Sequence, residues 1–223
     1  MSSDERWLAA AWPFVRSWLP AAPAGVVEIG CGPLGGFVPR MRTAGYDATG
    51  IDPEAPDGPW YYGCEFERYQ VPAPVGAVVA CTSLHHVADL GEVLDLVAEA
   101  LVPGGTVVVV EWARERFDEA TARWCFDRLP GPPDEHNWLQ GRCEEWRVSG
   151  LTWDDYCRGW AADEGLHAGA DIVRELDARF GRQLLADGPY FFADLAGVSE
   201  ADEQAAIDAG EIQAGRIAYV GRR

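Results

Sequence analysis

The residues able to do chemistry begin at a glycine-rich turn, Gly30-Cys31-Gly32-Pro33-Leu34-Gly35-Gly36, which directly follows the apolar run Val26-Val27-Glu28-Ile29 and satisfies G-x-G-x-x-G. Glycines let a backbone turn sharply and approach a ligand closely. Asp52 stands twenty residues beyond Gly32, where an acid closing the next strand accepts hydrogen bonds from ribose hydroxyls. That much fits a dinucleotide, an adenosyl-bearing ligand or a plain tight turn. His85 and His86 titrate near neutrality and suit a general base, or alternatively cap and pack the adjoining helix. Glu111 ends a later apolar run and reads either as part of the same rim or as a residue that orders its loop. His136, within Asp134-Glu135-His136-Asn137-Trp138, is a lid residue or a solvated loop histidine.

What is missing narrows the chemistry further. All 18 basic residues are arginine, so intact P-loops, pyridoxal Schiff bases and Tyr/Lys reductase pairs are excluded. With 36 acids the net charge is −18, which argues against nucleic-acid phosphates and anionic membrane surfaces as partners. The acidity is no detachable tail: residues 1–112 hold 14 acids and 5 arginines, residues 113–223 hold 22 and 13. Six cysteines (31, 64, 81, 125, 143, 157) show no metal-ligand spacing, and no compact carboxylate set suggests a hard cation. No secretory leader or long apolar window is evident, so the expectation is a reduced, cytoplasmic protein that does not cross a membrane.

Strands and helices must hold these residues in place. Ser2 to Glu5 forms a capping-box pattern, and Trp7, Leu8, Ala11, Phe14 and Val15 follow at helical spacing, with Pro13 expected to kink or split that helix. Strands are expected at 26–29, 48–52, 61–66, 75–81 and 106–111, with helices at 37–43 and 89–101 between them. Val75 to Cys81 and Thr106 to Glu111 are continuous apolar runs, as expected of parallel strands covered on both faces. Strand–helix alternation of this kind implies right-handed crossovers. Helices are expected at 118–129, 153–164 and 171–180 around a Pro/Gly/polar loop at 130–142. Strands are expected at 183–186 and 217–220, with a helix between.

Two details separate the readings of the glycine turn. Glu28 sits inside the strand, where a carboxylate needs donors and disfavours a nearby pyrophosphate. Pro33 supplies no N–H where a dinucleotide fold would begin its phosphate-capping helix. Val26-Val27-Glu28-Ile29-Gly30-Cys31-Gly32 resembles the first motif of class I S-adenosylmethionine-dependent methyltransferases. Thr49-Gly50-Ile51-Asp52 resembles the second, Ala77 to Val87 the fourth-strand segment, and Leu101-Val102-Pro103-Gly104-Gly105 the turn into strand five. The order and separations fit, over residues 25–112. Gly76 stands where many members carry Asp, and a Pro/Gly-rich stretch at 53–60 replaces a helix.

The resemblance implies a Rossmann-like α/β three-layer sandwich. Its mostly parallel seven-stranded sheet would have an antiparallel C-terminal strand and a helical lid over the C-terminal strand edge. It implies one domain over 1–223: N-terminal helices to 24, a cofactor core over 25–112, a lid over 113–181 and a closing hairpin over 182–223. It implies S-adenosylmethionine as cofactor, leaving as S-adenosylhomocysteine. Gly30, Cys31 and Gly32 would lie against its methionyl and ribose parts, and Glu28 would order the loop and meet the amine. Asp52, with Pro53 beside it, would take the ribose, Glu65 with Phe66 (or alternatively Glu67) the adenine, and Cys81 and Thr82 the amino-acid portion. His85, His86 and Glu111 are the catalytic candidates.

Six of ten tryptophans (112, 124, 138, 146, 153, 160) fall after strand five. They form either ordinary core or an aromatic lid over a flat or cationic small-molecule acceptor. The reading is therefore a bacterial small-molecule methyltransferase of unassigned oligomeric state. The alternatives are an NAD-dependent oxidoreductase or a non-catalytic cofactor-binding subunit.

Overall fold

The computed structural model describes residues 1–131 and 137–223. Its first half runs α1 (Ser3–Trp18), β1 (Gly25–Ile29), α2 (Val38–Thr43), β2 (Asp47–Ile51), β3 (Tyr61–Tyr62), β4 (Val75–Cys81), α3 (Leu90–Ala100) and β5 (Leu101–Trp112). The second half runs α4 (Glu119–Phe126), α5 (Trp138–Ser149), α6 (Trp153–Asp163), α7 (Gly169–Asp177), β6 (Gly181–Gly188), α8 (Glu200–Asp208) and β7 (Arg216–Arg222). The strands join one sheet in the order β3-β2-β1-β4-β5-β7-β6. Neighbours from β3 through β5 pair parallel, and β7 runs antiparallel to both β5 and β6. The expected sheet is thus the observed one.

Alternate strand residues face opposite layers. Val27, Ile29, Val78, Ala80, Val107 and Val109 pack with residues of α3 and α7, whereas Val26, Ala77, Val79, Val108 and Val110 pack with α1 and α2. Burial on both faces explains why β4 and β5 read as unbroken valine-rich runs. A third cluster, built on Trp112, Phe117, Trp153 and Phe191, lies beyond the end of β5. Strand order reverses between β1 and β4. The loops leaving their carboxyl ends, from Gly30 and Thr82, flank the crevice in which open α/β sheets hold ligands.

Four local expectations are corrected. α1 is not split: Pro13 sits inside a single helix, started by the Ser2/Glu5 capping box. The third strand shrinks to Tyr61–Tyr62, because the chain turns into a 3-10 segment at Phe66–Arg68 and buries Phe66. Pro103-Gly104-Gly105 is no separate turn but an irregularity within β5, whose register against β4 shifts as Gly104 takes φ +75°. The expected loop at 130–142 gives way at Trp138 to α5, capped by Asn137 Oδ1 accepting from Gln140 N at 3.2 Å. His136 lies outside the described residues. No helix among the described residues is long and apolar enough to cross a membrane.

Candidate active site

β1 delivers Glu28 to the base of the glycine turn, almost wholly buried. Both its carboxylate oxygens accept from Phe37 N, at 3.0 and 2.8 Å. Burial pushes this carboxyl up to about 8, against the opposing pull of backbone hydrogen bonds at Phe37 and Val38. The loop closes over it only because residue 36 is glycine. At φ +57° a Cβ there would stand 2.2 Å from Glu28 Oε1. Gly30, at φ +75°, is equally constrained, since its Cβ would meet Ser83 Cβ at 2.2 Å. Ser83 Oγ donates to Ile29 O at 3.1 Å and so ties the β1 loop to the β4 loop.

Asp52, just past β2, supports this loop from the other side. Its Oδ2 accepts from Gly32 N at 2.9 Å and its Oδ1 from Glu54 N at 2.7 Å. Thr82, at the end of β4, takes φ +53°, a left-handed conformation that costs a non-glycine residue energy and collects at functional sites. Its N–H donates to Val110 O at 2.8 Å, which fixes that backbone. Burial pushes the Cys31 thiol up to about 12 and raises that of Cys81 as well, so neither serves as a nucleophile.

The loop after β4 presents His85 beside the end of β5. Its Nδ1 lies 2.7 Å from Glu111 Oε2, with both side chains buried. Glu111 also accepts from Ser83 N at 2.7 Å, Leu84 N at 2.6 Å and Trp112 N at 3.1 Å. Three backbone N–H donors converge on Glu111 and set it as an acceptor toward the imidazole, which places a proton on Nδ1, so that in the neutral ring Nε2 carries the lone pair. His86 is only partly covered, its ring 4.2 Å from that of His85; partial desolvation of the ring, then the neighbouring His85, lowers its pKa. His167 braces the loop, donating from its backbone N to His85 O at 3.0 Å.

Both regions open into one cavity of about 470 Å³. Glu28, Gly30, Cys31, Gly32, Cys81 and Thr82 line it at the glycine loop, His85 and His86 line it beside them, and Trp7, Trp112, Trp138, Trp160 and Tyr190 give it an aromatic wall, with the His85 and Trp112 ring centroids 6.0 Å apart. The structure thus brings together eight of the thirteen catalytic and cofactor-binding candidates, with three of the six lid tryptophans, Trp112, Trp138 and Trp160. Glu111 stands behind His85, and Asp52 reaches the cavity wall through Gly32. Pro53, Glu65 and Phe66 do not line it: Phe66 packs in the core with Ile51, and Glu65 is exposed at the start of the 3-10 segment.

Sequence reasoning missed the wall residues Asp4, Glu164, Tyr190 and Asp194. Trp7 carried a signal as a member of the α1 stripe, but nothing local joined it to Tyr190. Two buried or half-buried charges hold that wall. Arg6 donates to the carbonyls of Phe192, Ala193, Leu195 and Val198 at 2.8–3.2 Å. Glu203 accepts from Tyr190 N, Phe191 N and Phe192 N at 2.6–3.1 Å. No group of three or more His, Cys, Asp or Glu among the described residues is placed to hold a metal ion.

A family model described as a methyltransferase domain matches residues 6–146. No curated protein matches the chain. Among solved structures, an S-adenosylmethionine-dependent methyltransferase from Mesorhizobium loti is 19% identical, covering 96% of this chain and 98% of its own, with a TM-score of 0.59. Geranyl diphosphate C-methyltransferase from Streptomyces coelicolor A3(2), solved with Mg2+, geranyl diphosphate and S-adenosylhomocysteine, is 15% identical over 96% of this chain and 80% of its own (TM-score 0.54). The N-methyltransferase NodS from Bradyrhizobium japonicum WM9, solved with S-adenosylhomocysteine, is 15% identical over 100% of this chain and 88% of its own (TM-score 0.54). At these identities the likeness to the solved structures is one of fold.

Proposed function

Because the chain belongs to the S-adenosylmethionine-dependent methyltransferases, with the class I fold, we propose that it methylates a small-molecule acceptor held against the aromatic wall of its cavity, with His85 as general base. The observation that carries this reading is the His85–Glu111 pair, whose His85 lines the same cavity as the glycine loop. The loop fits the donor. A buried acid faces the cavity at Glu28, and at Gly36 no side chain is tolerated. When bound, S-adenosylmethionine supplies a methyl group on a sulfonium, open to in-line displacement.

The chain's own residues supply position and a proton acceptor. Gly30, Cys31 and Gly32 present backbone to the methionyl and ribose parts, and Glu28 offers its carboxylate to the amine. Asp52, which reaches the cavity wall through Gly32, takes a ribose hydroxyl. Cys81 and the strained Thr82 border the amino-acid portion. Alignment of nucleophile and methyl contributes most to such a displacement. His85 Nε2 accepts the acceptor's proton, and Glu111 balances the charge that develops on the ring. A diphosphate-bearing acceptor suits the wall poorly: Arg142 is the arginine among the lining residues, and it is paired with Glu145 at 2.7 Å. All six cysteines are free and the composition is lysine-free, which fits a cytoplasmic bacterial enzyme.

Calorimetric titration with S-adenosylhomocysteine, and separately with NAD, tests the donor assignment. Binding of the former and none of the latter is expected, and Asp52→Ala should weaken it at least tenfold. Binding of NAD alone would overturn the reading.

A further inference from the structure

The aromatic wall of the cavity has a composition that the transfer of a methyl group does not by itself require. Trp112 is buried at the end of β5, with ring centroids of Trp138, Trp160 and Tyr190 at 5.3, 5.6 and 6.0 Å. Its indole Nε1 is buried without a hydrogen-bond partner. This box already holds one cation: Arg142, which also lines the cavity and is paired with Glu145, has its Cζ 4.9 Å from the Trp160 ring centroid. Three acids join the same lining: Asp4, Glu164 and Asp194. Asp194 Oδ2 accepts from Trp138 Nε1 at 3.2 Å, which fixes the carboxylate beside the box. Burial raises its carboxyl to about 6, so it is still ionised at neutral pH.

Aromatic faces attract cations through their quadrupoles, most strongly where water is excluded. Carboxylates around such a box favour a cation further and repel an anion. Resting on the methyltransferase reading of this cavity, we propose that the acceptor is an amine that enters as its ammonium ion, its charge against the aromatic box and Asp194. The ammonium gives one proton to His85 Nε2, and the freed nitrogen lone pair forms the new N–C bond to the donor methyl. The S–C bond breaks with its electron pair left on sulfur, which yields S-adenosylhomocysteine and the N-methylated ammonium. His85 then returns its proton to solvent. Deprotonation inside the cavity also removes one of the two positive charges that would otherwise face each other, the ammonium and the sulfonium.

Protein saturated with S-adenosylhomocysteine is titrated calorimetrically with three probes of one shape: 2-phenylethylamine, 2-phenylethanol and phenylacetate. The amine should bind at least tenfold more tightly than the alcohol, and phenylacetate most weakly. Asp194→Asn should reduce the amine-to-alcohol preference at least fivefold while S-adenosylhomocysteine affinity stays within twofold. Glu164→Gln, on an exposed residue of the same wall, provides a second variant with a smaller shift in the same direction. An alcohol that binds as well as the amine, or no binding by any of the three, overturns the proposal. Failure of S-adenosylhomocysteine itself to bind would instead overturn the methyltransferase reading of this site.

Discussion

Glu111→Gln probes the catalytic reasoning directly. The wild-type carboxylate accepts four donors, from Ser83 N, Leu84 N, Trp112 N and His85 Nδ1. A glutamine amide has one oxygen. With that oxygen toward Ser83 and Leu84, its NH2 faces Trp112 N–H and the imidazole. His85 can then stay hydrogen-bonded only by moving its proton to Nε2, and Nδ1 becomes the acceptor. Trp112 N–H is left without its partner. Replacing charge-assisted bonds by neutral ones and orphaning one buried donor costs roughly 3 kcal/mol in all. For a domain of this size that lowers Tm by about 6–12 °C. Losing the lone pair at Nε2 removes general-base catalysis, worth about 10²–10⁴ in rate. The tautomer is read by 15N-resolved NMR of the imidazoles, a spectrum of only four histidines. Wild type should show Nδ1–H for His85, and the variant Nε2–H. Retention of Nδ1–H in Glu111→Gln would refute the reasoning, because Glu111 would then not set the tautomer, whatever happened to Tm.

Other perturbations separate the parts of the site. Gly36→Ala drives a Cβ into the Glu28 carboxylate at a backbone angle that alanine resists, and S-adenosylhomocysteine affinity by calorimetry should fall at least 100-fold. Glu28 keeps its proton in the folded state to about pH 8 but loses it above about 4.5 when unfolded. Its contribution to stability is therefore full below pH 4.5 and is lost as pH rises to 8. Urea unfolding of Glu28→Gln should show a flatter dependence over that window. At pH 7, binding of S-adenosylhomocysteine should release close to one proton, seen as heats that vary with buffer ionisation enthalpy and absent in Glu28→Gln. Arg6→Ala removes four hydrogen bonds to the 192–198 segment. It should cost about 2–4 kcal/mol in stability and weaken amine probes more than S-adenosylhomocysteine.

The glycine loop was legible in sequence because its determinants are local. Strands covered on both faces write themselves as valine runs, and a turn that must pass within contact of Glu28 and Ser83 writes itself as glycines. Phe66 misled for a related reason: an aromatic after strand three signals a ligand platform and a core plug equally well, and here it fills the core with Ile51. α5 escaped because its outward face is polar and only Leu139 and Cys143 are buried, which leaves little apolar stripe. The acceptor wall was illegible because it joins residues that no window contains, Trp7 and Asp4 with Tyr190 and Asp194.

That wall also sets an order in time. The contacts of the glycine loop with Phe37, Gly36 and Asp52 span 8 to 20 residues, whereas Arg6 reaches carbonyls 186 to 192 positions away. Closing the longer loop costs more chain entropy and waits on more of the polypeptide. During synthesis the glycine-loop end has all its parts once β4 and the loop that carries Thr82 and Ser83 have left the ribosome. The acceptor chamber acquires its last wall only when residues 190–203 emerge and the waiting α1 docks on them. A nascent chain of this protein would therefore hold every residue of its glycine loop and histidine pair well before the residues that close the aromatic wall had emerged.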